Sequence, residues 1–411
     1  MKSNTSPCHC MVVHGRYPIT ETRVEREARA LVSRGYSVDV ICLRYEGESA
    51  TAIEDNVRVY RLPVKRHRDS GVWVQFWEYL AFFALAFLKL SLLDRTRRYK
   101  TVQVHNLPDF LVFAALVPKL RGAKVVLDLH DLMPEFYAAR FRRSLCSLPV
   151  RLIRLQEHWS CRFADHVITV TELWRRTLLD RGVPSRKVSV VMNVADSNIF
   201  NRNAHRALPR TSGEFRMIYH GNLTHRYGVD LAVRAVARIR KQVPNIHLLI
   251  HGGGPLLAAL RRQAADLGLD GVITFSTTQV PTPELPSLID TADIGIVPYR
   301  PDVFTDGILP TKLMEYVAMG LPVIAARTAC IASYFDEDMV TFFPPGDDEA
   351  LADCIRKLYD DPVRRALMVE QSEAFLRLHN WDTESAAYVA LVDRLQTSSR
   401  GPIEVAEVGS A

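Results

Sequence analysis

Short apolar runs alternate with helix-patterned stretches along most of this chain, and they do so in two series. The first series contains CMVVHG (10–15), SVDVICL (37–43), TVQVHN (101–106), KVVLDLHD (124–131), HVITVT (166–171) and KVSVVMN (187–193). These runs are short, rich in β-branched residues and nearly continuous in hydrophobicity, as strands covered on both faces are. Between the first two, TRVEREARALVSRG (22–35) sets Val24, Ala28 and Leu31 on one helical face, with Thr22 and Glu25 as a capping box and Gly35 at the end. A polar, irregular stretch (195–214) reads as a linker. After it the alternation restarts with FRMIYHGN (215–222), IHLLIHGGG (246–254), VITFS (272–276), IGIVPY (294–299), PVIAA (322–326) and MVTFF (339–343).

Two such βα series predict an α/β protein of two doubly wound, Rossmann-like domains facing each other, residues 1–200 and 201–395. The small-residue segment 396–411 reads as a disordered tail. Ligands of such sheets gather at the carboxyl ends of strands, so the site is expected in the cleft between the domains. A length of 411 residues, with 48% hydrophobic and 24% charged residues, agrees with two ordinary globular domains.

Charge adds an asymmetry. Residues 1–200 carry 31 Lys and Arg against 20 Asp and Glu, whereas residues 201–411 carry 21 against 26. The basic excess is clustered at KRHR (65–68), RTRRYK (95–100) and RFRR (140–143). Such a half is drawn to anionic surfaces or substrates. No aromatic–basic interleaving of a nucleic-acid module accompanies it, so nucleic acid is not expected as a partner. Between two of the clusters lies GVWVQFWEYLAFFALAFLKLSLL (71–93), whose uninterrupted apolar core, Tyr79–Leu88, is ten residues long and short for a membrane span. Two readings lead, a helix lying in a membrane interface with Trp73 and Trp77 at headgroup level and a helix packed within the protein, and a transmembrane helix is a third, less favoured one. On the first, residues 61–100 are a candidate contact with an anionic membrane. The seven cysteines are scattered; Cys8 and Cys10 flank His9 with no second ligand pair at zinc spacing, so no metal site is expected. Unpatterned thiols and the absence of a secretion-signal pattern point to a reducing cytoplasm.

The second half carries the candidate chemistry. His220-Gly221-Asn222 closes its first strand, with His225 and Arg226 after it, and Gly252-Gly253-Gly254-Pro255 closes the next. Glycine lets backbone approach a ligand, and a following helix offers free N–H groups. In TDGILPTKLMEYVAMGLPV (305–323), Pro310 suits a first helical position and Gly320 an end, but Leu309 in front offers no capping side chain. Free amides beside Thr311 and Lys312 suit an anion, and Glu315, one turn on in an apolar run, suits neighbouring hydroxyls. A phosphate beside a diol points to a nucleotide.

At these residues the chain resembles a known family. The stretches 248–276, 284–300 and 308–326, in that order, resemble the C-terminal half of family 4 glycosyltransferases, the retaining class with two Rossmann-like domains (GT-B). LDLHDLMPEF (127–136) resembles the place where that family sets a histidine at a strand end. The resemblance covers roughly residues 10–395. It implies that Glu315, matching the second glutamate of the family's Glu-x7-Glu motif, binds the nucleotide ribose. It implies further that Thr311 and neighbouring amides, with Gly221, Gly253 and Gly254, meet the diphosphate, and that His130 lies near the donor sugar.

Two departures stand out. Gly307 occupies the first motif glutamate, with Asp306 beside it as a substitute; and GNLTHRYG (221–228) has Asn222 and Tyr227 where the family has Arg and Lys. Arg226 and Lys312 are then the candidate diphosphate cations. No Asp-x-Asp triplet suited to holding a divalent cation is seen, and no metal or other cofactor is expected.

The activity implied is sugar transfer with retention, from a nucleotide-diphosphate sugar (UDP-sugar favoured) to a saccharide or lipid-linked acceptor in cell-surface polysaccharide or glycolipid assembly. His130 and Asp131 would orient or stabilise rather than attack. Gly15, Arg16, Thr22 and Arg23, after the first strand, are the expected acceptor side. The expected location is cytoplasmic, peripheral to the inner face of the membrane. A sugar-nucleotide epimerase of the same build and a non-catalytic nucleotide-sugar-binding scaffold are the alternatives.

Overall fold

Contacts divide the chain into two units, one formed by residues up to Met192 together with those from Ser385, the other by Asn193–Glu384. The structure, a computed structural model, describes residues 6–67, 71–202, 213–278 and 280–397. The middle of the expected linker (203–212) and the tail from 398 therefore lie outside the described residues.

The first unit is built on strands β1 (Cys8–Val12), β2 (Ser37–Leu43), β3 (Thr51–Glu54), β4 (Val57–Leu62), β5 (Thr101–His105), β6 (Lys124–Leu129), β7 (His166–Thr169) and β8 (Val188–Val190). They form one sheet in the order β3-β4-β2-β1-β5-β6-β7-β8. All neighbours are parallel except β3, which pairs antiparallel with β4. The β3–β4 hairpin went unread in the sequence. Its two-residue turn is Asp55-Asn56, both at positive φ (49° and 64°), as a turn matched to strand twist requires. The inner strands β5 and β7 are buried at every residue, which is why they read as continuous apolar runs.

The helices between these strands are α1 (Thr22–Ser33), α2 (Val72–Arg97), α3 (Leu116–Leu120), α4 (Met133–Phe141), α5 (Leu148–Phe163) and α6 (Glu172–Asp180). α1 buries Val24, Ala28 and Leu31, as its spacing predicts, and ends before Gly35 at φ +92°. Its start differs from expectation. Glu21 is the N-cap and makes no side-chain cap, so Thr22 is the first helical residue and no Thr22–Glu25 capping box forms. α2 is longer than the sequence reading allowed. Its 26 residues reach about 39 Å at 1.5 Å per residue, and by length and composition alone Trp73–Arg97 is apolar enough to cross a membrane. One stripe of it (Glu78, Phe82, Ala86, Leu90, Asp94, each four residues apart) is buried against the domain. Within that stripe Glu78 holds His14 (3.1 Å) and the His67 amide (2.7 Å), and Asp94 holds Arg121 (3.2 Å).

The second unit carries β9 (Phe215–His220), β10 (Ile246–His251), β11 (Ile273–Ser276), β12 (Ile294–Val297), β13 (Val323–Ala326) and β14 (Thr341–Phe343), all parallel, in the order β11-β10-β9-β12-β13-β14. Its helices are α7 (Val229–Ile239), α8 (Leu257–Asp266), α9 (Leu285–Ile289), α10 (Thr311–Ala318), α11 (Ala329–Tyr334), α12 (Asp348–Asp360) and α13 (Pro362–Leu378). The strand order reverses between β9 and β12, the switch point at which ligands of doubly wound sheets bind.

A last helix, α14 (Trp381–Thr397), begins in the second unit and packs on the first. Its Tyr388, Leu391, Val392 and Leu395 join Val24, Ala28 and Leu31 of α1 in one buried cluster, and the Tyr388 hydroxyl donates to Gln103 Oε1 at 2.6 Å. Continuity of sequence placed residues up to 395 in the second domain and 396–411 in the tail. The buried stripe instead draws α14 back to the first unit, and Gln396 and Thr397 are helical.

Candidate active site

In the second unit the site assembles at the carboxyl ends of β9, β10 and β12. β9 and β10 end in His220-Gly221 and His251-Gly252. The two turns interlock: the Gly221 amide donates to the His251 carbonyl at 2.9 Å and the Leu223 amide to the Gly253 carbonyl at 2.9 Å. A β-carbon on Gly252 (φ +136°) would lie 2.0 Å from the Gly221 carbonyl oxygen, and one on Gly254 (φ +151°) 2.5 Å from that of Leu223. Backbone approach at these two positions is thus fixed by the protein itself. A β-carbon at Gly253 would meet nothing, so that surface is left open.

α10 starts on Pro310 with no side-chain cap, and among the described residues nothing accepts from the Thr311 and Lys312 amides. An unpaired helix start of this kind favours an anion. The sequence reading made Pro310 the first helical residue; it is the N-cap, one position earlier. Thr311 is exposed at this start.

Lys312 points inward. Its Nζ donates to the Tyr299 hydroxyl at 3.0 Å and lies 5.3, 5.1 and 5.1 Å from the ring centres of Tyr219, Tyr227 and Tyr299. Three aromatic faces around one ammonium supply cation–π attraction, strongest where water is scarce. Burial still pushes the Lys312 pKa below its ordinary value. Gly221 permits the cage, since a β-carbon there would come within 3.2 Å of Lys312 Cε. Tyr227, which departs from the family's lysine, is therefore one wall of the cage around a lysine supplied from α10.

Glu315 is held from behind. Its Oε2 lies 2.5 Å from His220 Nε2, while His220 Nδ1 lies 2.9 Å from the Tyr316 hydroxyl, which also accepts from the His220 amide at 3.1 Å. A carboxylate can only accept, so Nε2 carries a proton toward Glu315, while the Tyr316 hydroxyl beside Nδ1 also donates to the Ile218 carbonyl at 3.3 Å. The Tyr316 ring lies on the sheet at Gly295, where a β-carbon would fall 2.4 Å from it. The Glu315 side chain remains 15% exposed, enough for its free oxygen to meet a ligand hydroxyl. His220, Tyr316, Tyr299 and Tyr219 were missed as site residues. Their one sequence signal was His220 at a strand end before a glycine.

The other expected donor residues have contacts of their own, and Arg226 is near enough to this group to act on the Tyr299 hydroxyl. The Arg226 guanidinium lies 5.1 Å from the Phe304 ring centre, and Asn222 is exposed, its carbonyl accepting from the Tyr219 hydroxyl at 2.8 Å. Asp306, the substitute for the missing first glutamate, takes the Ala329 amide on Oδ1 at 2.7 Å. It thereby ties its loop to the start of α11, with one carboxylate oxygen already engaged.

In the first unit His130 and Asp131 follow β6. His130 sits in a charged cluster made by α1, β5 and β6. Arg23 reaches Asp128 (2.9 Å), Glu27 (3.1 Å) and the Val191 carbonyl (3.0 Å), and His105 Nδ1 lies 3.0 Å from Asp128. Burial, opposed by the nearby carboxylates, pushes the His130 pKa down, so its ring is neutral at pH 7; its buried Nδ1 has no hydrogen-bond partner among the described residues. His105, Asp128 and His130 bring ligand atoms within 4.8 Å of one another, a metal-like grouping. The Arg23 guanidinium occupies both Asp128 oxygens, at 2.9 and 3.3 Å, and a second cation there would be repelled.

The expected acceptor loop looks different from its sequence reading. Arg23 is buried inside the cluster rather than offered to a ligand. Arg16 is paired with Glu48 at 2.7 Å over the Tyr45 ring, and Thr22 is exposed. A β-carbon at Gly15 would collide with the Glu21 carboxyl at 1.8 Å, so Glu21 covers that glycine; burial pushes the Glu21 pKa up.

Residues 20–193 match the model of the glycosyl transferase 4-like domain, and residues 214–361 that of the glycosyl transferases group 1. The chain belongs to the group 1 glycosyltransferases. Over 165 residues it is 34% identical to a GDP-mannose-dependent α-(1-6)-phosphatidylinositol monomannoside mannosyltransferase of Mycolicibacterium smegmatis, covering 39% of this chain and 42% of the relative. It is 28% identical over 252 residues to the amylovoran biosynthesis glycosyltransferase AmsK of Erwinia amylovora, covering 59% and 58%. The chain thus spans about half the length of the curated relatives it matches. Sucrose-phosphate synthase from Thermosynechococcus elongatus superposes with a TM-score of 0.76 at 20% identity, over 96% of this chain and all of that one, which shows the GT-B fold.

Proposed function

We propose that this group 1 glycosyltransferase moves a sugar, with retention of anomeric configuration, from a nucleoside-diphosphate sugar to a saccharide or lipid-linked acceptor in cell-surface polysaccharide or glycolipid assembly. The observation that carries the reading is the juxtaposition, on one helix, of an uncapped start, the caged Lys312 and the His220-braced Glu315. They suit a diphosphate and a ribose diol in that order. Charge-assisted hydrogen bonds to Glu315 are worth about 1.5–3 kcal/mol each.

In the step proposed, the bond from the anomeric carbon to the diphosphate oxygen breaks as the acceptor hydroxyl attacks from the same face. The acceptor proton passes to the departing diphosphate. Negative charge growing on that diphosphate is met by the α10 amides, Lys312 and Arg226 in place of a metal ion. Neutral His130 orients the sugar or acceptor through a hydrogen bond, with Asp131 beside it. UDP is the favoured base, and GDP is its competitor because the mannosyltransferase relative depends on GDP-mannose. The exposed aromatic end of α2 and the basic residues of 61–100 support a peripheral contact with the anionic cytoplasmic face of a membrane.

The test is a titration of thermal stability with UDP, GDP and ADP in the presence of EDTA, in wild type and Glu315→Ala. Stabilisation by one nucleotide, near 2.7 kcal/mol at about 100 times its dissociation constant and lost in Glu315→Ala, supports the reading and names the base. The corresponding sugar nucleotides are then screened for acceptor-dependent release of nucleoside diphosphate. The scaffold reading has one observation in its favour, the engagement of Asp306 by Ala329. Nucleotide binding without any turnover would establish it.

A further inference from the structure

A second apolar stripe lies on α5. Leu148, Leu152, Leu155 and Trp159, spaced by four, three and four residues, are 68%, 58%, 53% and 53% exposed. The opposite side of the same helix buries Val150, Glu157 and Cys161. An amphipathic helix ordinarily turns its apolar stripe inward. α5 has an inner apolar face and an outer one.

Its neighbours share the habit. α5 and α2 both pack on the 3-10 turn Asp109–Ala115, and α2 exposes Trp73, Trp77, Leu88 and Leu92. From α3, which adjoins that turn, Leu120 is exposed as well. One side of the first unit thus carries outward apolar residues from three helices, more than the scattered ones a soluble surface tolerates.

The charges on that side are of one sign. Among the described residues from 71 to 163 no Asp or Glu is fully exposed: Glu78, Asp94, Asp109, Asp128, Glu135 and Glu157 are buried, and Asp131, at the end of β6, is half-buried. Exposed over the same span are Arg95, Arg98, Arg121, Arg142, Arg143 and Arg151, among others. Exposed apolar side chains interspersed along the sequence with exposed arginines, and no fully exposed acid over the same span, match an anionic lipid surface: the leucines enter the acyl boundary, the indoles sit at headgroup level and the guanidinium groups meet phosphates. A protein partner would call for charges of both signs or a closed apolar contact.

We propose that the outer face of α5 lies on anionic lipid and that, together with α2, it makes the enzyme dock by one whole side of its first unit. The inference rests on the membrane contact proposed above for α2 and extends it to a second helix. Two helices lying in the interface fix a molecule's orientation, which a single helix does not. The strand ends of the first unit, with His130 after β6, are then presented at a constant attitude to an acceptor whose lipid is embedded in the same leaflet.

The experiment is co-flotation of the full chain with vesicles of phosphatidylcholine, alone or mixed with phosphatidylglycerol, at low and at physiological salt. Wild type is compared with Leu152→Ser/Leu155→Ser on α5 and Trp73→Ser/Trp77→Ser on α2. Melting temperature and nucleotide-induced stabilisation, measured in parallel, show that each variant is folded. The expected result is binding that needs phosphatidylglycerol, weakens with salt and falls on the order of tenfold in the α5 variant. If the α5 variant bound like wild type while the α2 variant did not, the α5 proposal would be overturned and the α2 contact would stand. If wild type floated with neither vesicle, the membrane contact as a whole would be overturned, whereas the donor-site reading would be judged by its nucleotide titration alone. Absence of vesicle binding, combined with a dimer that the α5 substitutions dissociate, would reassign the face to a second copy of the chain.

Discussion

His220 Nε2 stands 2.5 Å from Glu315 Oε2, with the Tyr316 hydroxyl 2.9 Å from the other ring nitrogen. Residues 95 apart in sequence are joined because β9 ends where α10 passes over the sheet. The chain Tyr316–His220–Glu315 fixes which carboxylate oxygen faces the ligand. Replacing His220 by Ala should lower nucleotide affinity about tenfold, the equivalent of one charge-assisted hydrogen bond's orienting effect. Comparison of UDP with 2′-deoxy-UDP by calorimetry checks this. Discrimination against the deoxy form should shrink in His220→Ala and vanish in Glu315→Ala. Unchanged discrimination in both would remove the ribose role.

Lys312 gives a second test. Its cage of tyrosines holds the ammonium in place, and among the described residues no carboxylate forms an ion pair with it, although Glu315 acts on it from a distance. Lys312→Met should weaken a nucleoside diphosphate by roughly 10- to 100-fold, for a loss of about 1.5–3 kcal/mol, and leave the affinity of the bare nucleoside nearly unchanged. Equal losses on both ligands would mean that Lys312 only supports the fold.

Arg23 separates a structural role from a ligand-binding one. Its removal strands Asp128 and Glu27 as buried carboxylates, and such one-sided breaks cost about 3–5 kcal/mol. Arg23→Ala should therefore lower the melting temperature of the first unit by roughly 10 °C, at about 2–4 °C per kcal/mol. An unchanged melting temperature with a raised acceptor KM would restore Arg23 to the acceptor side.

Asp109 gives the protein a pH dependence. Burial, reinforced by Glu157, raises its pKa from 3.8 to about 8, and Oδ2 has no hydrogen-bond partner among the described residues. Burial likewise raises Glu157 to about 7. The unfolded chain releases these protons near pH 4 and the folded chain holds them, so the folded state binds more protons in between. The contribution of these two groups to stability then falls as pH rises from about 4 towards 8. Asp109→Asn, which keeps the shape and removes the charge, should raise the melting temperature at pH 8 more than at pH 5. A gain equal at both values would contradict the assignment.

How much of this was legible in the sequence follows from what each feature depends on. Buried parallel strands must be apolar at nearly every position, so all six strands of the second unit and six of the eight in the first were readable as runs. The β3–β4 hairpin escaped because an edge strand half in solvent has no continuous run; β3 alternates exposed and half-buried residues. The uncapped start of α10 was legible because capping is local, as was Glu315, a carboxylate alone in an apolar stretch.

What the sequence could not determine is every partnership across the sheet. Nothing local shows that His220 braces Glu315, that three tyrosines enclose Lys312, that Asp306 spends an oxygen on Ala329, or that Arg23 turns inward. Nor could it show that the stripe on α14 belongs to the first unit, since a stripe states only that a helix needs a partner. Periodicity and chain punctuation are one-dimensional and determined the elements of this protein; charge pairing and packing depend on distances in space, and only the tertiary structure decided them.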